Sequence, residues 1–294
     1  MPLGRGRIQV VKVGIFGYPC FLVREKGDDR KMKRKNKLLT IIMTLCLVAT
    51  MMPIYTGVAF ADAVEFDDAI IIAGKKCGPT GVGEAHAVYC ITTSDGAVTV
   101  TTDSAIKDEV ISNSAIDGRG YIEIVKTVST DPTSTTEYAI TMNNATVEYY
   151  NGSNNVGTPT SAAVYLNGIG DSSKCEIHLK GENTIIGNAF GIRGGSDSQH
   201  YILGDGTLTA KGERSTGILA NNLTISCGGI EASGGNAIMA EKGDINISGG
   251  AITASGGNYG ISAWEPGESL SSRGNINISG GTVKVKVDNG DFMG

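Results

Sequence analysis

Between Leu223 and Val285, one pattern of alternating apolar and polar residues occurs three times. The copies begin at Leu223, Ile245 and Ile276. Each opens with two apolar residues separated by one polar residue, the period of a β-strand with one buried face. A glycine-containing turn and a second alternating segment follow. The second copy starts 22 residues after the first and the third 31 residues after the second, which indicates one repeat plus a nine-residue insertion.

Three short strands and three turns in each repeat predict an all-β fold. We interpret residues 135–294 as a single-stranded right-handed parallel β-helix with about 22 residues per rung. One rung cannot bury its own apolar side, so such a fold exists only as a stack. A leucine-rich repeat is the main alternative, but its helical return limb does not fit segments rich in Gly, Ser and Thr. A β-sandwich would not require a fixed offset.

Stacked rungs predict four columns of inward-facing side chains and polar rows between them. The predicted columns are Ile177, Tyr201, Leu223, Ile245 and Ile276; Leu179, Leu203, Ile225, Ile247 and Ile278; Leu208, Ile230, Ile252 and Val283; and Ile192, Ile218, Ile238 and Ile261. On the outward side, Asn246 over Asn277 and Ser248 over Ser279 predict side chains that hydrogen-bond along the stack.

The N-terminal part predicts secretion. Residues 32–37 are mostly basic, residues 38–49 are mostly apolar, and Ala59 and Ala61 form a small-residue cleavage site, so residues 32–61 match a signal peptide. A membrane anchor is the alternative, but polar residues and a proline interrupt the short apolar run. We therefore expect a secreted, cell-surface protein with no membrane span after processing. Residues 1–31 are interpreted as an upstream start called in error, with translation beginning at Met32.

Removing residues 1–61 makes the chain strongly acidic. That segment holds 11 of the 25 Lys and Arg residues but 3 of the 30 Asp and Glu residues, so the remainder has 14 basic and 27 acidic side chains and a net charge of −13. Such a surface repels phosphate, and no basic stripe is present. We therefore expect no nucleic-acid partner.

Residues 62–134 are less regular and are interpreted as an N-terminal β cap with irregular rungs; a separate small β-domain is the alternative. Strands are predicted at residues 69–72, 97–101 and 120–125. Because secretion permits disulfides, Cys77 and Cys90 could close a short loop within this cap.

Residues suited to catalysis or metal binding are sparse. No cluster of carboxylates could hold Ca²⁺, and the cysteine and histidine spacing does not match a zinc site. The trio His178, Glu182 and Arg193 could act as acid/base machinery, but a solvated face is the favoured interpretation. We therefore expect a non-catalytic protein without a cofactor or a metal.

The insertion in the third repeat contains the chain's one tryptophan. Loops that project from a rigid scaffold often carry function, and an aromatic ring offers an apolar surface to a sugar. The candidate carbohydrate-binding residues are Trp264, Glu265, Glu268, Arg273 and Tyr259. Residues 149–160 form a weaker candidate of the same kind, while Trp264 could instead fold back over the edge of the stack.

The motif Asn-Ile-Ser-Gly-Gly, followed by one variable residue and then Ile or Val, occurs at residues 246–252 and 277–283 and resembles the repeats of large secreted proteins of Gram-positive bacteria. The resemblance covers about residues 135–287, although Val285 departs from the usual Ala. It implies a pectate-lyase-like β-helix in carbohydrate-binding or adhesin-like proteins, with a polysaccharide or cell-surface glycan as the partner. A polysaccharide lyase or glycoside hydrolase and a structural surface spacer are the alternatives.

Overall fold

The computed structural model describes residues 9–15, 18–24, 66–127, 137–151, 161–166, 173–195, 198–263 and 273–288. The chain divides into two compact units, Met1–Ala63 and Val64–Gly294. In the first unit, strands β1 (Gln9–Ile15) and β2 (Tyr18–Arg24) pair antiparallel. The predicted signal peptide lies outside the described residues. No described helix is long and apolar enough to cross a membrane.

The second unit consists mostly of strands, so the predicted all-β class is confirmed. Within the described ranges, the exceptions are helix α1 (Ser104–Asp117) and a single 3-10 turn at Glu84–His86. The strands in chain order are β3 (Asp67–Ile72), β4 (Lys75–Gly78), β5 (Val88–Thr92), β6 (Val98–Thr101), β7 (Gly120–Thr127), β8 (Glu137–Asn143), β9 (Thr146–Tyr149), β10 (Ala162–Leu166), β11 (Lys174–Lys180), β12 (Glu182–Gly187), β13 (Phe190–Gly194), β14 (Gln199–Gly204), β15 (Thr207–Gly212), β16 (Thr216–Ala220), β17 (Asn222–Ser226), β18 (Gly229–Ala240), β19 (Ile245–Ile247), β20 (Ala251–Ser262), β21 (Ile276–Ile278) and β22 (Thr282–Val287).

From β8 onwards, the chain passes repeatedly through three parallel ladders in the same order. Ladder A contains β8, β11, β14, β17, β19 and β21. Ladder B contains β9, β12, β15, the first parts of β18 and β20, and β22. Ladder C contains β10, β13, β16 and the second parts of β18 and β20. Apolar side chains from all three ladders join one buried core.

The pairing of neighbouring strands confirms two of the four predicted columns completely. The confirmed pairs are Leu208–Ile230, Ile230–Ile252 and Ile252–Val283 in ladder B, and Ile192–Ile218, Ile218–Ile238 and Ile238–Ile261 in ladder C. In ladder A, the predicted pairs from β17 onwards are also confirmed, with Leu223, Ile245 and Ile276 in one column and Ile225, Ile247 and Ile278 in the next. On β21, however, Ile276 and Ile278 are 43% and 54% exposed, so these two are not buried as predicted. Residues far apart in sequence therefore pack against one another.

The predicted register of ladder A before β17 is wrong, by one residue at β14 and by two at β11, so Ile177 lies in the column of Ile202 and Ile225 and not in that of Leu223. His200, rather than Tyr201, pairs with Leu223. Ile202 takes the buried position that was predicted for Leu203. Because successive side chains of a strand point to opposite faces, a slip of one residue exchanges the faces completely. Tyr201 and Leu203 consequently point outward and are partly exposed.

The strands that precede β8 pair antiparallel, so both sheets of the second unit are mixed. Strands β5, β6 and β7 extend ladder A to nine strands, and the β3–β4 hairpin joins ladder C in an eleven-stranded sheet. The predicted strands at residues 69–72, 97–101 and 120–125 are confirmed as parts of β3, β6 and β7, within one residue. Helix α1 is not among the predicted elements.

Two glycines make the turn from ladder A to ladder B, as the sequence predicts. Gly250 and Gly281 have φ angles of 88° and 80°, in the left-handed region that residues with a side chain rarely adopt. A Cβ atom on Gly250 would also lie 2.3 Å from the carbonyl oxygen of Cys227 in the preceding repeat. The close stacking of successive turns therefore requires glycine at position 250.

Candidate functional site

The outward side of ladder A carries three adjacent rows of mostly polar side chains, which we call the polar face. It arises because apolar and polar residues alternate along β11, β17, β19 and β21, so the polar ones point away from the core; on β14 the outward side chains are Gln199, Tyr201 and Leu203. The rows are Lys174, Gln199, Asn222, Asp244 and Asn275; Glu176, Tyr201, Thr224, Asn246 and Asn277; and His178, Leu203 and Ser226. All of these side chains are at least partly exposed.

Glu176 organises the charged end of the polar face. One carboxylate oxygen lies 2.5 Å from Lys174 Nζ, and the other lies 3.0 Å from His178 Nε2. The hydrogen bond from Lys174 is the largest cause that lowers the pKa of Glu176, and the same bond raises the pKa of Lys174. Glu176 is therefore a carboxylate at neutral pH and accepts hydrogen bonds from two neighbours.

Tyr201 supplies an aromatic ring in the middle row of the polar face. Its neighbours in that row are Glu176 and Thr224. The ammonium of Lys174 lies 5.1 Å from the ring centre, and the Tyr201 hydroxyl donates a 2.7 Å hydrogen bond to Gln199 Oε1. These contacts hold the ring among hydrogen-bonding groups, an arrangement suited to a ligand that has both apolar and hydroxyl surfaces.

Amide side chains form hydrogen-bonded ladders at the other end of the polar face. Asn277 Nδ2 donates to Asn246 Oδ1 over 2.9 Å, so the predicted asparagine ladder is confirmed. In the adjoining row, the backbone N–H and the side-chain Nδ2 of Asn275 both donate to Asp244 Oδ1. The serines also hydrogen-bond along the stack, as predicted, but not to one another. Their hydroxyls donate to backbone carbonyls of the preceding repeat, Ser248 to Ile225 and Ser279 to Ile247.

Helix α1 packs on the side of the nine-stranded sheet that carries the polar face, over the antiparallel strands β5 and β7. Val110 is fully buried against Tyr89, Ile91 and Tyr121. Lys107 Nζ, also on the helix, lies 3.0 Å from Glu123 Oε1 on β7. The helix therefore covers the apolar end of this surface and leaves the polar face open.

Of the predicted site in the insertion, only Arg273 belongs to the described residues. Trp264, Glu265 and Glu268 lie outside the described residues, while Arg273 is exposed. The N–H of Gly274 donates a 2.9 Å hydrogen bond to the carbonyl of Ala263, so the two ends of the insertion meet. Two residues after Arg273 the chain reaches Asn275, which belongs to the first row of the polar face.

Tyr259, the remaining predicted site residue, lies away from that loop. It begins the ladder C part of β20, where it pairs with Asn236, and its side chain is 39% exposed. The extended segment from Tyr259 to Ser262 then leads to the insertion over about 10 Å. Tyr259 therefore lies about 10 Å along β20 from the end of the strand at which the insertion begins.

The hypothesis of an acid/base trio is also not supported by the contacts. His178 contacts Glu176 on ladder A, whereas Glu182 begins β12 on ladder B. The Arg193 guanidinium lies on ladder C, 4.8 Å from the centre of the Phe190 ring. The three side chains project from three different ladders.

Sequence reasoning missed Glu176 and Tyr201 as site residues. The signal for Glu176 was available, because Lys174, Glu176 and His178 occupy alternate positions and must share one face of a strand. Tyr201 was missed because the predicted register placed its ring inside the core.

Comparisons with known proteins leave the site to be interpreted from its own geometry. No protein-family model, no curated protein and no solved structure matches this chain. Among the described residues, no group of three or more His, Cys, Asp or Glu side chains is arranged to hold a metal ion.

Proposed function

We propose that the protein is an extracellular, non-catalytic glycan-binding module built on a right-handed parallel β-helix. The three parallel ladders, visited in the same order in successive repeats, support this architecture. The signal-peptide pattern of residues 32–61 supports secretion. The repeated Asn-Ile-Ser-Gly-Gly motif supports a relationship to the carbohydrate-binding or adhesin-like surface proteins of Gram-positive bacteria.

The observation that carries the binding proposal is the Tyr201 ring held on an open sheet surface among hydrogen-bonding side chains. Sugar rings have apolar C–H surfaces that pack on aromatic rings, and hydroxyls that pair with carboxylates and amides. Gln199 and Glu176 flank the ring, and the amide ladders continue the polar face along the stack. The insertion carries the other candidate contacts, Trp264, Glu265, Glu268 and Arg273, and it ends two residues before Asn275 of the polar face.

The charges of the polar face favour a neutral or cationic glycan over a polyanionic one. Its rows contain Glu176, Asp244 and one lysine, Lys174, whose ammonium already pairs with Glu176. The net charge of −13 over residues 62–294 acts in the same direction, because like charges repel. A polyuronate would therefore approach against the field of the protein.

A polysaccharide lyase or hydrolase is the alternative that a specific contact favours. His178 and Glu176 form a hydrogen-bonded pair in which an imidazole could act as a general base. Hydrolysis by the usual route requires a second carboxyl group across the scissile bond. Asp244, the other carboxylate of the polar face, lies two strands beyond β14, at the opposite end of the surface.

A polysaccharide panel separates these possibilities. The full chain is applied to immobilised neutral glucans, an amino-sugar polymer and a polyuronate, and the supernatant is assayed for reducing and unsaturated ends. We expect retention on a neutral or amino-sugar polymer without new ends. Release of products would establish the enzyme instead, and no retention on any polymer would favour a structural spacer.

Two variants locate the contribution of the insertion in the same panel. Trp264→Ala should weaken retention if the insertion contributes to glycan binding. Tyr259→Ala, at the far end of the strand, should have little effect. The reverse order would place binding on the ladder C corner and remove the polar face from the proposal.

A further inference from the structure

Two buried cysteines face each other in the N-terminal part of the second unit. Cys77 on β4 and Cys90 on β5 are both fully buried, and their sulfur atoms are 3.1 Å apart. A disulfide requires a sulfur separation of about 2.05 Å, so the pair stands as two thiols one small movement away from a covalent bond.

The two cysteines belong to different sheets. Strand β4 is at one edge of the eleven-stranded sheet, and β5 is near the end of the nine-stranded sheet. No backbone ladder among the described strands joins β4 to β5. The side chains meet inside the shared core, and Cys90 pairs with the buried Ile122 of β7. A covalent bond here would connect the two sheets at the place where the parallel ladders have given way to antiparallel strands.

We propose that Cys77 and Cys90 form a structural disulfide that clasps the two sheets together. In the bonding step, each thiol loses its proton and the pair loses two electrons as the S–S bond forms. The electrons pass to a disulfide oxidant, such as an oxidised low-molecular-weight thiol, whose own S–S bond is cleaved to two thiols. The exchange proceeds through a mixed disulfide with one of the two cysteines.

Burial determines when the bond can form. The hydrogen bond with Cys77 and the loss of solvent together raise the pKa of Cys90 well above its usual value. Because a thiolate is the attacking species, the folded thiols react slowly. The bond therefore forms while this part of the chain is still open, and afterwards both sulfurs are shielded from reductants.

The pairing is specific within the described part of the chain. Cys175 is buried in ladder A beside Tyr138 and His200, and Cys227 is buried in the turn after β17. Cys77 and Cys90 are the described cysteines whose sulfurs contact each other. Cys175 therefore provides a matched control, a buried cysteine outside the proposed bond.

Peptide mapping tests the bond directly. The full chain is refolded in a mixture of oxidised and reduced glutathione, free thiols are alkylated, and the protein is cut after glutamate. Because Glu84 lies between the two cysteines, the Cys77 and Cys90 peptides should stay joined until a reductant is added. Separate peptides, alkylation of either cysteine, or attachment of either one to another cysteine would overturn the proposal.

Thermal unfolding tests whether the bond acts as a clasp. The oxidised chain should melt roughly 6–12 °C above the reduced chain, as expected for closing a short loop in a domain of this size. The difference should vanish in the Cys77→Ala/Cys90→Ala double variant and persist in Cys175→Ala. Equal melting temperatures for the oxidised and reduced wild-type chains would contradict the clasp.

Discussion

The outward side of the nine-stranded sheet differs sharply between its antiparallel and parallel parts. On β5 and β7 it presents Tyr89, Ile91 and Tyr121, and helix α1 covers them. On β11 and β14 it presents Glu176 and Tyr201 and stays open. A helix covers the sheet where its outward rows are apolar. None of the described elements covers the polar rows. A single aromatic ring left in the open part is therefore a reason to look for a ligand.

Disrupting the contact between helix α1 and the sheet should have the largest effect on the free energy of unfolding. Val110→Asp places a charge where the side chain is fully buried beneath the helix, and an unpaired buried charge should cost about 3–5 kcal/mol of unfolding free energy. Denaturant unfolding of the full chain measures it. The neighbouring variant Ile111→Asp, at a position 49% exposed, should change stability by less than about 0.5 kcal/mol. Equal effects at the two positions would show that the helix does not act as a cover.

The core beneath the polar face should respond to acid. Burial is the main cause that lowers the pKa of His200 to about 4 from its usual 6.5. Between about pH 6.5 and pH 4, His200 therefore binds a proton in the unfolded chain but not in the folded chain. The stability that this group provides is complete above pH 6.5 and is lost as the pH falls through 4, a change of about 3 kcal/mol.

Denaturant unfolding between pH 7 and pH 4 measures this loss. His200→Leu, which places at this position the residue type that the next strand carries at Leu223, should remove the His200 contribution. His178→Gln on the open polar face serves as the control and should retain it. An unchanged pH dependence in His200→Leu would place the titrating group elsewhere.

The parts of the fold that could be predicted are those where the repeat keeps its length. Leu208, Ile230 and Ile252 are each 22 residues apart, and they stack as predicted. The register failed at β14 because the turn from ladder C back to ladder A varies in length. The run from His200 to Leu203 has apolar residues on both faces, so its own pattern could not correct the error.

Helix α1 had a local signal that the strand pattern obscured. Asp103 Oδ1 accepts a 2.9 Å hydrogen bond from the N–H of Ala105, the usual arrangement at a helix start. No Gly or Pro interrupts residues 104–117. Among residues 104–113, whose burial is described, Val110 is the one fully buried apolar residue, so this part of the helix lacks the broad apolar stripe by which amphipathic helices are recognised.

The most direct test of the central claim is the affinity of the retained polysaccharide for variants of Tyr201, measured by calorimetry on folded protein. Tyr201→Ala should weaken binding about tenfold or more, because the aromatic platform is lost. Tyr201→Phe keeps the ring and should bind within a few-fold of wild type, and Ile111→Asp on the helix should bind as wild type does. A Tyr201→Ala chain that binds as tightly as wild type would contradict the assignment of the polar face.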